Sequence, residues 1–236
     1  MKWFKQNRVW VVVNIIAVLP LVMLLNSFSF EFTESGTPTL TVQNTRPEPK
    51  FEETQADVGE VSLADMPDRE PPSAWHFLVK ETGEWAIRFL VFSLLCTPFY
   101  ILFGWRKVLP LRKALGLYAF MYAILHFIFF ALDRGWLATF GEFNFIVGLL
   151  AVLIMIPLAI TSNQWSMQTI GKNWKYLHRL VYVAAVCAVL HVAILGEGSA
   201  LLYGGLLAIG FILRIPVIRK AITRRRGNPR RSLASA

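Results

Sequence analysis

Five apolar runs of 18 or 19 residues lie at 85–103, 115–132, 143–160, 178–195 and 200–217, divided by short polar stretches. A sixth occupies 9–25, interrupted only by Asn14 and carrying Pro20. Each approaches the ~20 residues that a helix needs to cross a bilayer core. Backbone N–H and C=O groups in lipid must bond within the segment, so runs of this length read as helices. The pattern predicts an all-α, polytopic membrane protein of six transmembrane helices, with a kink at Pro20. The start, with Lys2, Lys5 and Arg8 before the first run, also suits a cleaved export signal. Asn26-Ser-Phe-Ser-Phe-Glu offers no small-x-small cleavage site, so residues 1–27 are read as an N-terminal transmembrane helix.

The pattern breaks after that helix. Residues 31–72 are rich in Pro, Ser, Thr and acids and have no aliphatic periodicity. Ten acidic and three basic residues fall between 30 and 70, a net of −7 against +9 for the whole chain. Such a segment buries too little apolar surface to fold alone. Residues 28–78 are therefore an acidic Pro-rich extracytoplasmic loop, largely disordered or a strap for a partner. Residues 79–217 form a five-helix transmembrane domain and 218–236 a basic tail. Lys and Arg concentrate at the N-terminus, in Arg106, Lys107, Arg112 and Lys113, at 172–179 and in the tail counted from Arg214, residues 214–231. Alternating spans put all of these on one face, which by the positive-inside rule is cytoplasmic and holds both termini.

Composition sharpens the class. The chain is 55% hydrophobic and only 17% charged, with a mean hydropathy of +0.49, where a soluble domain carries about 25% charge. Its basic balance belongs to loops beside apolar runs, so membrane lipid is the implied contact and nucleic acid is not. Cys96 and Cys187 both lie within runs and read as structural thiols. No phosphate-binding glycine loop, CxxC pair or internal repeat is evident.

Candidate chemistry rests on histidine, which is costly inside a span and therefore a functional candidate. His126 lies fourteen residues beyond Arg112, and His191 thirteen beyond His178. At ~1.5 Å per residue both sit ~20 Å outward from the cytoplasmic face. Two imidazoles at matched depth on two helices can supply both axial ligands of a haem iron, or bond across helices. Ala119, Ala123, Ala184, Ala185 and Ala188 leave room for a flat macrocycle and equally suit close helix packing. His178 matches Arg112 in depth and no histidine, so it is either an inner haem ligand, with Arg112 as a possible neighbour, or an interfacial side chain. His178 and His191 differ by ~140° around an ideal helix, which complicates two haems on one face. His76, between Trp75 and Phe77, reads as part of an aromatic belt and is left out of the sites.

Several strings in the second half resemble a known family. They are Thr82-Gly-Glu-Trp-Ala-Ile-Arg88, Thr97-Pro98, Leu111-Arg-Lys-Ala-Leu-Gly116, Leu125-His-Phe127, Pro157-Leu-Ala-Ile-Thr-Ser162, Gly171-Lys-Asn-Trp174, Leu177-His-Arg-Leu-Val-Tyr182 and Leu190-His191. Together they resemble the MsrQ (YedZ) family, the haem-binding membrane subunit of a bacterial periplasmic methionine-sulfoxide reductase system within the ferric-reductase-like transmembrane group. The likeness runs from about Gly83 to the C-terminus. It implies b-type haem, one or two, ligated at His126, His178 and His191, and a bound FMN. The FMN site is not implied; Arg106, Lys107 and Lys172 are chemically suited to its phosphate. It also implies electron transfer from the quinone pool or a cytoplasmic flavin reductase to a periplasmic molybdopterin-containing subunit that reduces methionine sulfoxide. The chain is then a multi-pass protein of the bacterial inner membrane, an electron-transfer subunit with no catalytic residues of its own. The alternatives are the membrane subunit of a split ferric reductase and a non-redox scaffold. A self-contained ferric reductase is disfavoured because only residues 218–236 follow the last run.

Overall fold

In the computed structural model, which describes residues 8–26, 28–32, 38–42 and 74–226, the apolar runs are helices. Helix α1 spans Arg8–Asn26 with Pro20 inside it. Strands β1 (Phe28–Phe32) and β2 (Pro38–Val42) pair antiparallel, Phe30 opposite Leu40. The loop expected to lack regular structure therefore begins with a hairpin, and residues 43–73 lie outside the described residues. Alternation explains the exception, since Phe28, Phe30 and Phe32 occupy every second position, the period of a strand.

Helix α2 covers Ala74–Phe103, α3 Leu111–Arg134 and α4 Phe143–Ile160. Two short helices follow, α5 (Gln164–Ile170) and α6 (Lys172–Leu177), and then α7 (Leu180–Ile194). The chain ends in α8 (Ser199–Ile212) and α9 (Pro216–Arg226). Helix α3 starts four residues before its apolar run, and three other boundaries depart from those expected. Helix α2 starts eleven residues before the apolar run, because Lys80, Glu81 and Glu84 lower hydropathy without breaking a helix. The span expected from His178 has a turn at His178–Arg179 and becomes regular only at Leu180. The last run stops at Ile212, and α9, with Pro216 at its first position, leaves at a 74° bend.

Among the described residues four helical segments are long and apolar enough to cross a membrane, or five if the bent α8–α9 pair is one span; Trp10–Leu24 of α1 is shorter. The protein is a multi-pass membrane protein. Six crossings were expected, and α1 and the bent α8–α9 pair are the elements on which that number turns. Helix α2 packs mainly along α3, and α4 along α7. Helix α8 closes against α2 and α7, while α1 lies on α3. The core holds Leu78, Phe89 and Leu94 of α2, Tyr122 of α3, Ala184 and Ala185 of α7 and Leu207 of α8. Apolar side chains such as Leu153 and Leu201 face outward, as they do when the solvent is lipid and packing, not water exclusion, joins the helices.

Two polar devices fix the peripheral elements. The Tyr118 hydroxyl donates to Asn14 Oδ1 (2.6 Å) and the fully buried Tyr122 hydroxyl to the Ala17 carbonyl (2.9 Å), tying α1 to α3. On the other side, Pro98 has no N–H to give the Leu94 carbonyl one turn back. Arg214, in the bend between α8 and α9, donates Nη2 to that carbonyl.

Candidate functional site

The antiparallel pairs α2–α3 and α4–α7 each bring one histidine to the middle of the bundle. His126 of α3 and His191 of α7 face each other with ring centroids 6.2 Å apart and planes at 75°. Each ring is steered by a neighbouring helix. His126 Nδ1 bonds the Val79 carbonyl of α2 at 2.8 Å, and His191 Nδ1 bonds the Asn144 carbonyl of α4 at 2.7 Å. A carbonyl only accepts, so Nδ1 carries the proton in both rings, and the neutral imidazole keeps its lone pair at Nε2.

The two cradles share a construction. In each, the bonded carbonyl lies 47 residues before the histidine, and a glycine stands four residues after the carbonyl: Gly83 after Val79, Gly148 after Asn144. A Cβ built on Gly83 would meet His126 Nδ1 at 2.9 Å, and one on Gly148 would meet His191 Nδ1 at 3.0 Å. Both glycines thus admit an imidazole against the helix backbone, where any side chain would intrude. An internal repeat, not evident from the sequence reading, connects them. Ala119-x3-Ala123-Ile-Leu-His126 is followed, at an offset of 65, by Ala184-x3-Ala188-Val-Leu-His191. Val79, Gly83, Asn144 and Gly148 obey the same offset. That offset is the signal that would have found the cradles.

The imidazoles line a cavity of about 500 Å³, with walls that include Leu90, Phe130, Val152 and Met155. This lies within the ~300–1,000 Å³ usual for cofactor and small-molecule sites. The small residues divide between the two roles open to them. Ala119, Ala123 and Ala188 line the cavity, Ala119 being also fully buried in the core, whereas Ala184 and Ala185 are fully buried in helix contacts away from it. The mouth is charged, with Lys80, Glu84, Asp133, Arg134, Glu142 and Glu197. Lys80 Nζ stands 3.9 Å from Glu197 Oε1, and the Arg134 guanidinium lies 5.9 Å from the Phe145 ring. His76, left out of the sites on sequence, is also at this cavity.

His178 is elsewhere. Half-buried at the α6–α7 junction, it stacks on Trp174 with centroids 3.9 Å apart. Its Nδ1 meets the Trp174 carbonyl at 3.1 Å and its Nε2 the Ser162 hydroxyl at 3.5 Å. The Trp174 indole N–H in turn donates to the Thr161 carbonyl (2.9 Å). Arg112 is half-buried at the start of α3, and its carbonyl accepts from the Ser93 hydroxyl at 2.8 Å. Sequence reading passed over Arg214 as part of the basic tail, yet its guanidinium lies 5.1 Å from the Tyr182 ring and its Nε is buried without a partner. Among the described residues no three His, Cys, Asp or Glu side chains cluster as a free-metal site.

Residues 82–189, which include His126 and His178 and stop two residues short of His191, match the family model "Ferric reductase like transmembrane component". Over 174 residues the chain is 34% identical to the protein-methionine-sulfoxide reductase heme-binding subunit MsrQ of Herminiimonas arsenicoxydans, covering 66% of this chain and 78% of that relative. The chain belongs to the MsrQ family. MsrQ subunits of Rhizobium meliloti (39% identical over 146 residues, 52% of this chain and 66% of the relative) and Rhodospirillum rubrum (36% over 153, 60% and 74%) agree. No solved structure matches. The ferric-reductase-like segment begins at Thr82, beside Gly83, and ends at Val189, two residues before His191.

Proposed function

We propose that this MsrQ-family chain is the haem-binding, electron-transfer subunit of a methionine-sulfoxide reductase system, with His126 and His191 as axial ligands of a b-type haem. The paired imidazoles carry the reading. Two metal–nitrogen bonds of ~2.0 Å plus ~1.1 Å from each Nε2 to its ring centre add to about 6.2 Å, and the centroids stand 6.2 Å apart. Both Nε2 lone pairs are free for a metal, since both Nδ1 atoms are committed to carbonyls. The cavity between them is apolar along its length and charged at its mouth, which suits a macrocycle bearing carboxylates. Lys80 and Arg134 are the cations placed to meet those carboxylates.

When bound, haem supplies a one-electron carrier in the low-dielectric bundle. The protein's part is to fix the axial ligands, exclude water and set the potential through ligand basicity and burial. By the positive-inside rule the His126–His191 cavity opens on the extracytoplasmic side, with six spans and both termini in the cytoplasm of a bacterial inner membrane. The outer partner is a periplasmic molybdopterin-containing reductase subunit. Electrons enter from the quinone pool or a cytoplasmic flavin reductase. His178, with Arg112 and a bound FMN or second haem, belongs to the entry side.

The test is spectroscopic. Full-length protein purified from membranes should show a Soret band and a low-spin b-type pyridine haemochrome. His126→Ala and His191→Ala should each remove the low-spin signal, and His178→Ala should leave it. A wild-type chain that takes up no haem sinks the proposal.

A further inference from the structure

The two glycines at the cradles have a role that their helix positions do not require. In a regular helix the carbonyl of residue i bonds the N–H of residue i+4. The Cβ of residue i+4 lies near that carbonyl and screens it from a lateral donor. Gly83 and Gly148 stand at that position relative to Val79 and Asn144 and leave both carbonyls open. Each carbonyl then accepts from an imidazole at 2.8 or 2.7 Å. We propose that Gly83 and Gly148 are paired positioning residues, which hold the His126 and His191 rings by baring one backbone carbonyl to each. The inference rests on the haem reading and adds to it what sets the electronic character of the ligands.

The physical consequence is specific. An Nδ1–H that donates to a carbonyl makes the opposite Nε2 more electron-rich, and a stronger axial donor favours the oxidised iron. Weakening either bond should raise the midpoint potential. Ring orientation matters separately. The planes lie at 75°, and near-perpendicular axial imidazoles leave the iron dπ orbitals close in energy, which gives a strongly anisotropic low-spin resonance. Turning one ring toward the plane of the other would lower that anisotropy. A Cβ at Gly83 would stand 2.9 Å from His126 Nδ1 and 3.0 Å from its Cε1. At Gly148 the same atoms of His191 would be 3.0 and 3.1 Å away. Alanine crowds the ring in both places.

Gly83→Ala and Gly148→Ala, made in the full-length haem-loaded protein, test this by redox titration and electron paramagnetic resonance. Gly205→Ala is the control, because a Cβ there meets nothing within 4 Å. Alanine favours a helix over glycine, so a shift cannot come from helix loss. Both cradle variants should keep the low-spin haem, raise its potential and shift the resonance away from the wild-type values. Loss of haem from a cradle variant of unchanged circular dichroism, with Gly205→Ala still loaded, also supports the inference. Should one cradle variant fail to fold, the other decides the matter. Wild-type potential and resonance in the cradle variants overturn the positioning role; with His126→Ala and His191→Ala losing the signal, the haem reading still stands. A wild-type chain without haem overturns both.

Discussion

Removing Arg214 should cost more stability while Pro98 is present than after Pro98→Ala. Pro98 lacks the N–H that would satisfy the Leu94 carbonyl, Leu94 is almost fully buried, and the Arg214 guanidinium supplies the missing donor. A buried carbonyl left without a partner costs about 1–3 kcal/mol. Against this, the Arg214 Nε is itself buried and unpartnered, so Arg214→Met also relieves a penalty. Hydrogen bonds between transmembrane helices average ~0.6 kcal/mol and reach ~1.7. The net destabilisation for Arg214→Met is then about 1 kcal/mol. In a Pro98→Ala background the alanine N–H takes over the Leu94 carbonyl. What Arg214→Met still removes is the contact with the Tyr182 ring at 5.1 Å, about 0.5 kcal/mol at a partly exposed site. A double-mutant cycle of Pro98→Ala and Arg214→Met, followed by unfolding in mixed micelles with rising dodecyl sulfate, should give a coupling of roughly 0.5–1 kcal/mol. Additive effects within ~0.3 kcal/mol would mean that the arginine does not serve the proline-freed carbonyl.

Two further outcomes follow from packing. Tyr122→Phe removes the hydroxyl bonded to the Ala17 carbonyl at 2.9 Å while keeping the ring, so stability should fall by about 1 kcal/mol; limited proteolysis should show α1 released first, and unchanged proteolysis would refute the tether. Ala123→Trp places a large ring in the cavity that Ala123 lines; haem content should drop several-fold with helix content unchanged by circular dichroism, and full loading would show that the cavity is not where the group sits.

Helix positions were legible because hydropathy measures what lipid demands. For α4 both ends agree with the apolar run, Phe143 to Ile160, since Glu142 and Thr161 mark where the apolar character stops. The start of α2 was misplaced for the same reason. Residues 74–84 are helical yet carry Lys80, Glu81 and Glu84, and hydropathy registers lipid contact, not helix. That misplacement hid half of the site, for Val79 and Gly83 lie in the stretch left outside the run. The matched depth of His126 and His191 was legible because rise per residue is fixed in a helix. Their partners were not, since a backbone carbonyl has no identity in the sequence.

By itself the sequence determined the class, the helices, the two histidines at one level and the family, because each depends on residue type at a known spacing along one chain. Tertiary structure decided which faces turn inward. It parted Ala119, Ala123 and Ala188 at the cavity from Ala184 and Ala185 in helix contacts. It sent His178 to a stack on Trp174, and it gave the basic-tail residue Arg214 to a carbonyl 120 residues away. These are choices of azimuth and partner, set by contacts between helices that lie far apart in sequence. The 65-residue offset between the two cradles stands between these levels. It is written in the chain, and it acquired meaning only when the fold laid Gly83 under His126 and Gly148 under His191.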